Sequence, residues 1–312
     1  MLHGWIVLDK PVGLGSTTAV SAIKRILREA GEPRTKVGHG GTLDPPASGV
    51  LPIALGEATK LCGRMLDATK AYDFTIRFGE QTDTLDKEGQ IIATSGVRPT
   101  RQQVEAVLPR FTGRIEQVPP AYSALKIEGK PAYTRARAGE DFELNARTVI
   151  LHSLTVCHPR GSGRPASVTE QRDSRLREND EVTLSAEVSK GTYIRSLARD
   201  IAHALGTVGH VSHLRRTRAG PFCLDSAISL DFLEEAAKAR ALTRTVLPLI
   251  AALDDIPALP VTPDQARLLR HGQMLFGVPA KPGLSLATSE GTPVALVEAT
   301  ADGLKVVRGF NL

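Results

Sequence analysis

The chain has 312 residues, 41% of them hydrophobic and 23% charged, enough apolar material for one large domain and a smaller second one. Cys62, Cys157 and Cys223 are too scattered for a disulfide framework or a zinc ribbon. No apolar run reaches the roughly 18 residues of a membrane span, the N-terminal run is too short for a secretion signal, and a formal charge of +5 suits a polyanionic partner in the cytoplasm.

Taken in chain order, WIVLD (5–9) reads as a short buried strand and KPVGLGS (10–16) as a turn into a helix. Ser16 or Thr17 is the expected cap of that helix. Val20, Ile23, Ile26 and Leu27 give it an apolar face, Lys24, Arg25 and Arg28 lie opposite, and Gly31 ends it. Residues 57–69 read as a second helix, and YDFTIRFG (72–79) alternates as a strand with Tyr72, Phe74, Ile76 and Phe78 on one face. Thr100 should cap a helix whose stripe is Val104, Val107 and Leu108, stopped near Pro109. The segment from about 119 to 147 interleaves Tyr122 and Tyr133 with Lys126, Lys130, Arg135 and Arg137, a pattern suited to an RNA surface.

Residues 159–180 have almost no apolar content and read as a mobile loop. Residues 181–206 read as a strand running into a helix, and Arg215, Arg216 and Arg218 add a basic cluster. Pro248, Pro257, Pro260 and Pro263 mark a linker region, and short β-type runs beyond it suggest a small barrel or sandwich. Residues 250–312 carry five Lys/Arg against six Asp/Glu, a net charge of −1 that leaves +6 on residues 1–249. The larger part is therefore expected to make most phosphate contacts, and a chain cut near residue 250 to keep some activity.

Motifs for familiar chemistries are missing: there is no Walker A loop, no strand-linked GxGxxG and no GxSxG. His210 and His213 form an HxxH without a plausible third ligand, which argues against zinc. What remains is Asp44, enclosed by glycines and prolines in VGHGGTLDPPASGVLPIALG (37–56), together with Tyr72 and the stretch KGTYIRS (190–196). If that stretch is extended, Tyr193 and Arg195 share a face. Arginine is a natural partner for an isolated carboxylate, since its planar fork stays charged. Taken singly, each of these residues reads as structural.

Five blocks together are more specific. GWIVLDKPVGLGSTTAV, KVGHGGTLDPPASGVLPIALGEATK, KAYDFTIRFGEQTDTLDKEG, PPAYSALKIEGKPAYTRARAG and VSKGTYIRSLARDIAHALG follow in this order over residues 4–206. They closely resemble the bacterial tRNA pseudouridine synthases of the TruB family, with the likeness extending to about residue 222. The resemblance implies an isomerase that converts uridine to pseudouridine at position 55, in the T loop of tRNA, without cofactor or metal. It implies that Asp44 is the catalytic residue, that Arg195 pairs with it, and that Tyr72 stacks on the uracil and takes part in removing the carbon-5 proton. His39 would hold the flipped nucleotide, Tyr193 would line the pocket and Leu214 would pack near the base. Lys10 and Lys60 read as structural.

Two positions depart from the family pattern. Gly40 stands where threonine is usual, a change expected to loosen the loop around His39, and Gly15-Ser16 replaces Thr-Ser. The expected fold is α+β: a catalytic domain, residues 1–248, on a mixed, largely antiparallel sheet, followed by a small PUA-like β-barrel, residues 249–312. The expected partner is the T arm of tRNA, with no membrane, guide RNA or obligatory protein partner. The alternative from another class is a tRNA-binding folding chaperone without essential chemistry. An aspartate-nucleophile hydrolase would normally need a second acid, and none is obviously paired with Asp44.

Overall fold

The first strand, β1 (Gly4–Lys10), carries an unbroken apolar run whose alternate residues enter two different cores. In the computed structural model, which describes residues 1–127, 129–157 and 180–312, it is followed by α1 (Ser16–Glu29), β2 (Val37–His39) and β3 (Ser48–Leu55). A 3-10 turn (Gly56–Leu61) and the short α2 (Cys62–Asp67) replace the single helix expected over 57–69. Next come β4 (Lys70–Phe78), the hairpin of β5 (Glu80–Thr82) and β6 (Ile91–Thr94), α3 (Arg101–Val107) and β7 (Gly113–Gln117). Thr100 caps α3, as the sequence predicts, and the structure adds a full capping box with Gln103. The basic segment forms a small hairpin, β8 (Lys126–Ile127) and β9 (Lys130–Pro131), and a short helix, α4 (Ala132–Arg137).

The second half supplies β10 (Arg147–Val156), β11 (Glu181–Val188), α5 (Ile194–Ala204), β12 (Gly209–Ala219), β13 (Phe222–Cys223) and α6 (Leu230–Lys238). The C-terminal part adds β14 (Ala258–Pro260), α7 (Pro263–Arg270), β15 (Gly283–Ser289), β16 (Thr292–Thr300) and β17 (Gly303–Gly309). The main sheet runs β1-β3-β12-β4-β11-β10-β7, with β2 on β3 and β13 on β12. Among the described residues only the β3–β12 strand pairing in it is parallel, so the sheet is mixed and largely antiparallel, as expected. Helices α3 and α5 cover one region of it through Val104, Val107, Leu197 and Ile201. Helices α1 and α6 cover β1 and β3 through Ile23, Ile26 and Leu233.

The C-terminal strands form a separate sheet, β14-β15-β16-β17, with a core of its own around Val261, Leu269, Val294, Val297 and Leu304, and its other side joins a second core. Leu249, Leu253, Leu286, Leu296 and Phe310 pack with Trp5, Val7, Val50 and Ala54 of β1 and β3. The indole of Trp5 donates to the Leu249 carbonyl at 3.2 Å, and its ring lies 5.3 Å from that of Phe222. Lys60 donates to the Gly309 carbonyl and Glu57 accepts from the Asn311 N–H, tying down the last strand. The prolines around residue 257 therefore lie between sheets that share a core. Of the stretch expected to be a mobile loop, residues 159–179 lie outside the described residues. Its last residue, Asp180, is buried and accepts from Arg98 at 2.7 Å.

Candidate active site

The loop that carries Asp44 leaves β2 and returns as β3, and three buried side chains from elsewhere hold it. Ser16 is the first residue of α1, but it does not cap the helix, whose N-cap position is Gly15. Instead its hydroxyl donates to the Leu43 carbonyl at 2.8 Å and accepts from the Leu43 N–H at 2.9 Å. Lys10, fully buried, donates to the carbonyls of Pro11, Leu14 and Pro45. Burial pushes its ammonium down to about 8; the Arg216 guanidinium adds to that shift, and the carboxylates of Asp44 and Glu88 oppose it. Arg216, 1% exposed, donates to the carbonyls of Gly41, Thr42 and Val50. Buried cations spent on backbone carbonyls fix a loop in one conformation, because any other would strand them without partners.

Two glycines complete the loop. Gly49 has φ +103, and a Cβ there would lie 2.2 Å from the Arg216 carbonyl oxygen, so only glycine fits the parallel seam with β12. At Gly40 a Cβ would lie 2.6 Å from Cβ of Met65. The glycine in place of threonine thus packs directly against α2, which corrects the expectation of a looser loop.

Asp44 itself stays 40% exposed and receives a hydrogen bond of 2.8 Å from Arg195. Arg195 is 6% exposed and fully engaged: it also donates to the carbonyls of Thr84 (2.8 Å) and Tyr122 (2.9 Å) and lies 3.4 Å from the Asp86 carboxylate. The extended spacing considered for Tyr193 and Arg195 does not occur. Tyr193 is the N-cap of α5 and Arg195 already belongs to the helix. Gln117, 1% exposed at the end of β7, donates to the Tyr193 carbonyl and accepts its N–H, and Ser196 donates to the Val118 carbonyl. The first turn of α5, and with it the arginine, is locked to β7.

The cavity beside Asp44 is lined by Pro46, Ala47, Asp86, Lys87, Arg195, Val211, Ser212, His213 and Leu214. Of the sequence-derived site residues it gathers Asp44, Arg195 and Leu214; His39, Tyr72 and Tyr193 lie outside this lining. Tyr72 is half-buried on β4, and the register places Phe74 opposite Leu214, so Tyr72 and Leu214 share a face of the sheet. His39 ends β2; its Nδ1 is buried without a partner among the described residues, and burial together with the Arg216 charge lowers its pKa. The sequence marks Ser16 only as a helix cap and gives no sign of a site role for Asp86, Lys87 or Gln117. Among the described residues, no cluster of His, Cys, Asp and Glu is arranged to hold a metal ion, and no helix is long and apolar enough to cross a membrane.

Comparison with known proteins adds the following. Residues 24–194 match the model of the TruB family pseudouridylate synthase N-terminal domain, and residues 195–254 match the tRNA pseudouridylate synthase B C-terminal domain. The chain is 56% identical to the tRNA pseudouridine synthase B of Zymomonas mobilis, over 99% of this chain and 96% of that one. It is 56% identical to that of Novosphingobium aromaticivorans, over 100% and 98%. Among solved structures it resembles an H/ACA RNP bound to a substrate RNA containing 2'-deoxyuridine, with a TM-score of 0.71 and 25% identity over 99% of this chain and 86% of that one. A Cbf5-Nop10-Gar1 complex gives a TM-score of 0.69 and 27% identity, over 99% and 84%. The match covers both the clamped aspartate loop and the helix that supplies its arginine, and the chain belongs to the TruB family of pseudouridylate synthases.

Proposed function

We propose that this chain isomerises uridine to pseudouridine in tRNA, at position 55 of the T loop, with Asp44 as the catalytic carboxylate. The observation that carries this reading is the 2.8 Å contact between a partly exposed Asp44 and a buried Arg195 at the mouth of a cavity. The full-length likeness to relatives named tRNA pseudouridine synthase B supports the same substrate. In the reaction the C1′–N1 bond of the nucleotide breaks, the uracil turns, and C1′ bonds to carbon 5. The carbon-5 proton then leaves and N1 ends protonated, so no atom is gained or lost. Asp44 meets C1′ or the ring in a geometry set beforehand by Ser16, Lys10 and Arg216.

Extruding the base costs a few kcal/mol, which contacts in the pocket must offset. Leu214, in the cavity wall, packs against the base. Tyr72 stacks on the uracil and assists loss of the carbon-5 proton, Tyr193 borders the pocket, and His39 holds the displaced nucleotide. The basic segment 119–147 contacts RNA, and residues 249–312 act as a PUA-like RNA-binding unit. The protein works in the cytoplasm without guide RNA or partner protein, whereas the structural neighbours are described in complexes. A chaperone role without chemistry is disfavoured by the intact Asp44–Arg195 pair.

The deciding experiment uses a bare tRNA transcript. Wild-type protein should form pseudouridine on it, and Asp44→Asn should bind the transcript comparably yet form none. Near-normal turnover by Asp44→Asn would return Asp44 to the role of an ordinary turn residue.

A further inference from the structure

The cavity wall facing Asp44 holds basic groups that the reaction as described does not use. Three basic side chains line it: Arg195, His213 and Lys87. Arg195 is consumed by two carboxylates and two carbonyls. Lys87 has no ion-pair or hydrogen-bond partner among the described residues and is exposed at the rim. Its carrier loop is nonetheless rigid. The Asp86 carboxylate accepts from the Thr84 hydroxyl at 2.7 Å and the Glu88 N–H at 3.1 Å. The Asp83 carboxylate accepts from the N–H groups of Thr84 and Gln90, and the Val211 N–H donates to the Leu85 carbonyl at 3.0 Å. A lysine on a stiff loop, left unpaired beside a reaction centre, is a preorganised anion contact.

The substrate's own chemistry supplies the anion. A nucleotide extruded toward Asp44 brings the phosphodiesters on either side of its ribose close to Asp44, Asp86 and the neighbouring Glu88, three carboxylates that repel them. The Arg195 charge offsets part of that repulsion, but its donors to Asp44, Thr84 and Tyr122 leave it no hand free for a phosphate. We infer that Lys87 forms a subsite for one of the two phosphodiesters flanking the reacting ribose, drawing the extruded nucleotide into the cavity past the carboxylates. This rests on the proposed uridine isomerisation. It differs from the general attraction of RNA to a basic surface in predicting dependence on one particular phosphate.

The test measures binding and single-turnover pseudouridine formation with T-arm RNAs, for wild type, Lys87→Met and His213→Ala. One RNA is all-phosphate; two others carry a single neutral methylphosphonate, either 5′ or 3′ of the target uridine. On the all-phosphate RNA, Lys87→Met should weaken binding by about three- to tenfold and reduce the salt slope of binding by about 1. On one of the two methylphosphonate RNAs the difference between wild type and Lys87→Met should vanish. The inference is overturned if Lys87→Met binds like wild type, if its defect is the same on all three RNAs, or if only His213→Ala shows the phosphate-specific loss. Failure of wild type to isomerise the all-phosphate RNA would instead refute the proposed activity, and binding to the three RNAs would still report on the subsite.

Discussion

Replacing Arg195 by lysine preserves a charge and removes a shape, and the structure sets what that should cost. One guanidinium nitrogen serves the Thr84 carbonyl and Asp86, the other serves Asp44 and the Tyr122 carbonyl. An ammonium occupies one point, so it serves one of these pairs and abandons the other. If it stays with Asp86, Asp44 loses its partner; since Asp44 is 40% exposed, water screens most of that loss from stability. If it moves toward Asp44, the Thr84 carbonyl is left unsatisfied, at about 1–3 kcal/mol, and the buried Asp86 keeps its bonds from Thr84 and Glu88 but loses its counter-charge, at a similar cost of about 1–3 kcal/mol. Arg195→Lys should therefore lose roughly 2–4 kcal/mol in urea unfolding at neutral pH. Its single-turnover rate at saturating tRNA, measured well below the unfolding transition, should fall by about 100-fold through lost aim. The double variant with Asp86→Asn should be non-additive by more than about 1 kcal/mol, because both changes act on one network. Stability within about 0.5 kcal/mol of wild type together with a rate within threefold would refute the reasoning.

Two further outcomes follow from the core and the clamps. Lys10 has a folded pKa of about 8 against an ordinary 10.5, so between these values the unfolded chain binds more protons and stability should rise with pH. The gap in unfolding free energy between wild type and Lys10→Met should move in favour of wild type across that window, by at most about 3 kcal/mol. Lys70 carries a similar shift in both proteins and cancels, and parallel pH profiles would disprove the assignment. Removing residues 250–312 takes Leu253, Leu286, Leu296 and Phe310 from the core they share with Trp5. At about 1.5–3 kcal/mol each this approaches a whole domain's stability, so the remainder should show no cooperative melting transition. A monomeric, cooperatively melting truncation would show that the shared core is dispensable.

The sequence made the elements legible where local rules decide them. Thr100 announces a helix start, the alternation of Tyr72 to Phe78 announces a strand, and the apolar stripe of α1 announces its buried face. Asp44 and Arg195 were legible only through the family resemblance, because 151 residues separate two groups that touch. Ser16 looked like a helix cap because hydroxyls at helix starts usually are, and nothing nearby reveals that it faces Leu43. Gly40 looked like a loosened position because the side chain it must clear, Met65, lies in the following helix. Lys87 and Asp86 were hidden in an ordinary acidic loop whose meaning comes from the arginine it meets. The joint between the two parts was legible only in part: the residues past the prolines have a core of their own, and some of them also join the core around Trp5. Prolines mark breaks in secondary structure but carry no information about which cores the flanking segments enter.

The parallel seam between β3 and β12, where Ser48 meets Arg215 and Gly49 meets Arg216, has a consequence for biosynthesis. Translation produces the aspartate loop early and its three-carbonyl clamp, Arg216, much later. Until then the loop has only Ser16 and Lys10 to hold it, and the nascent chain lacks both the Arg216 clamp and the Arg195 that aims the carboxylate. Because a long crossover must close before the seam can form, competence arrives in one step near the end of the sheet's assembly. Ribosome-bound fragments shorter than about two-thirds of the chain would thus be silent toward tRNA, however much secondary structure they already contain.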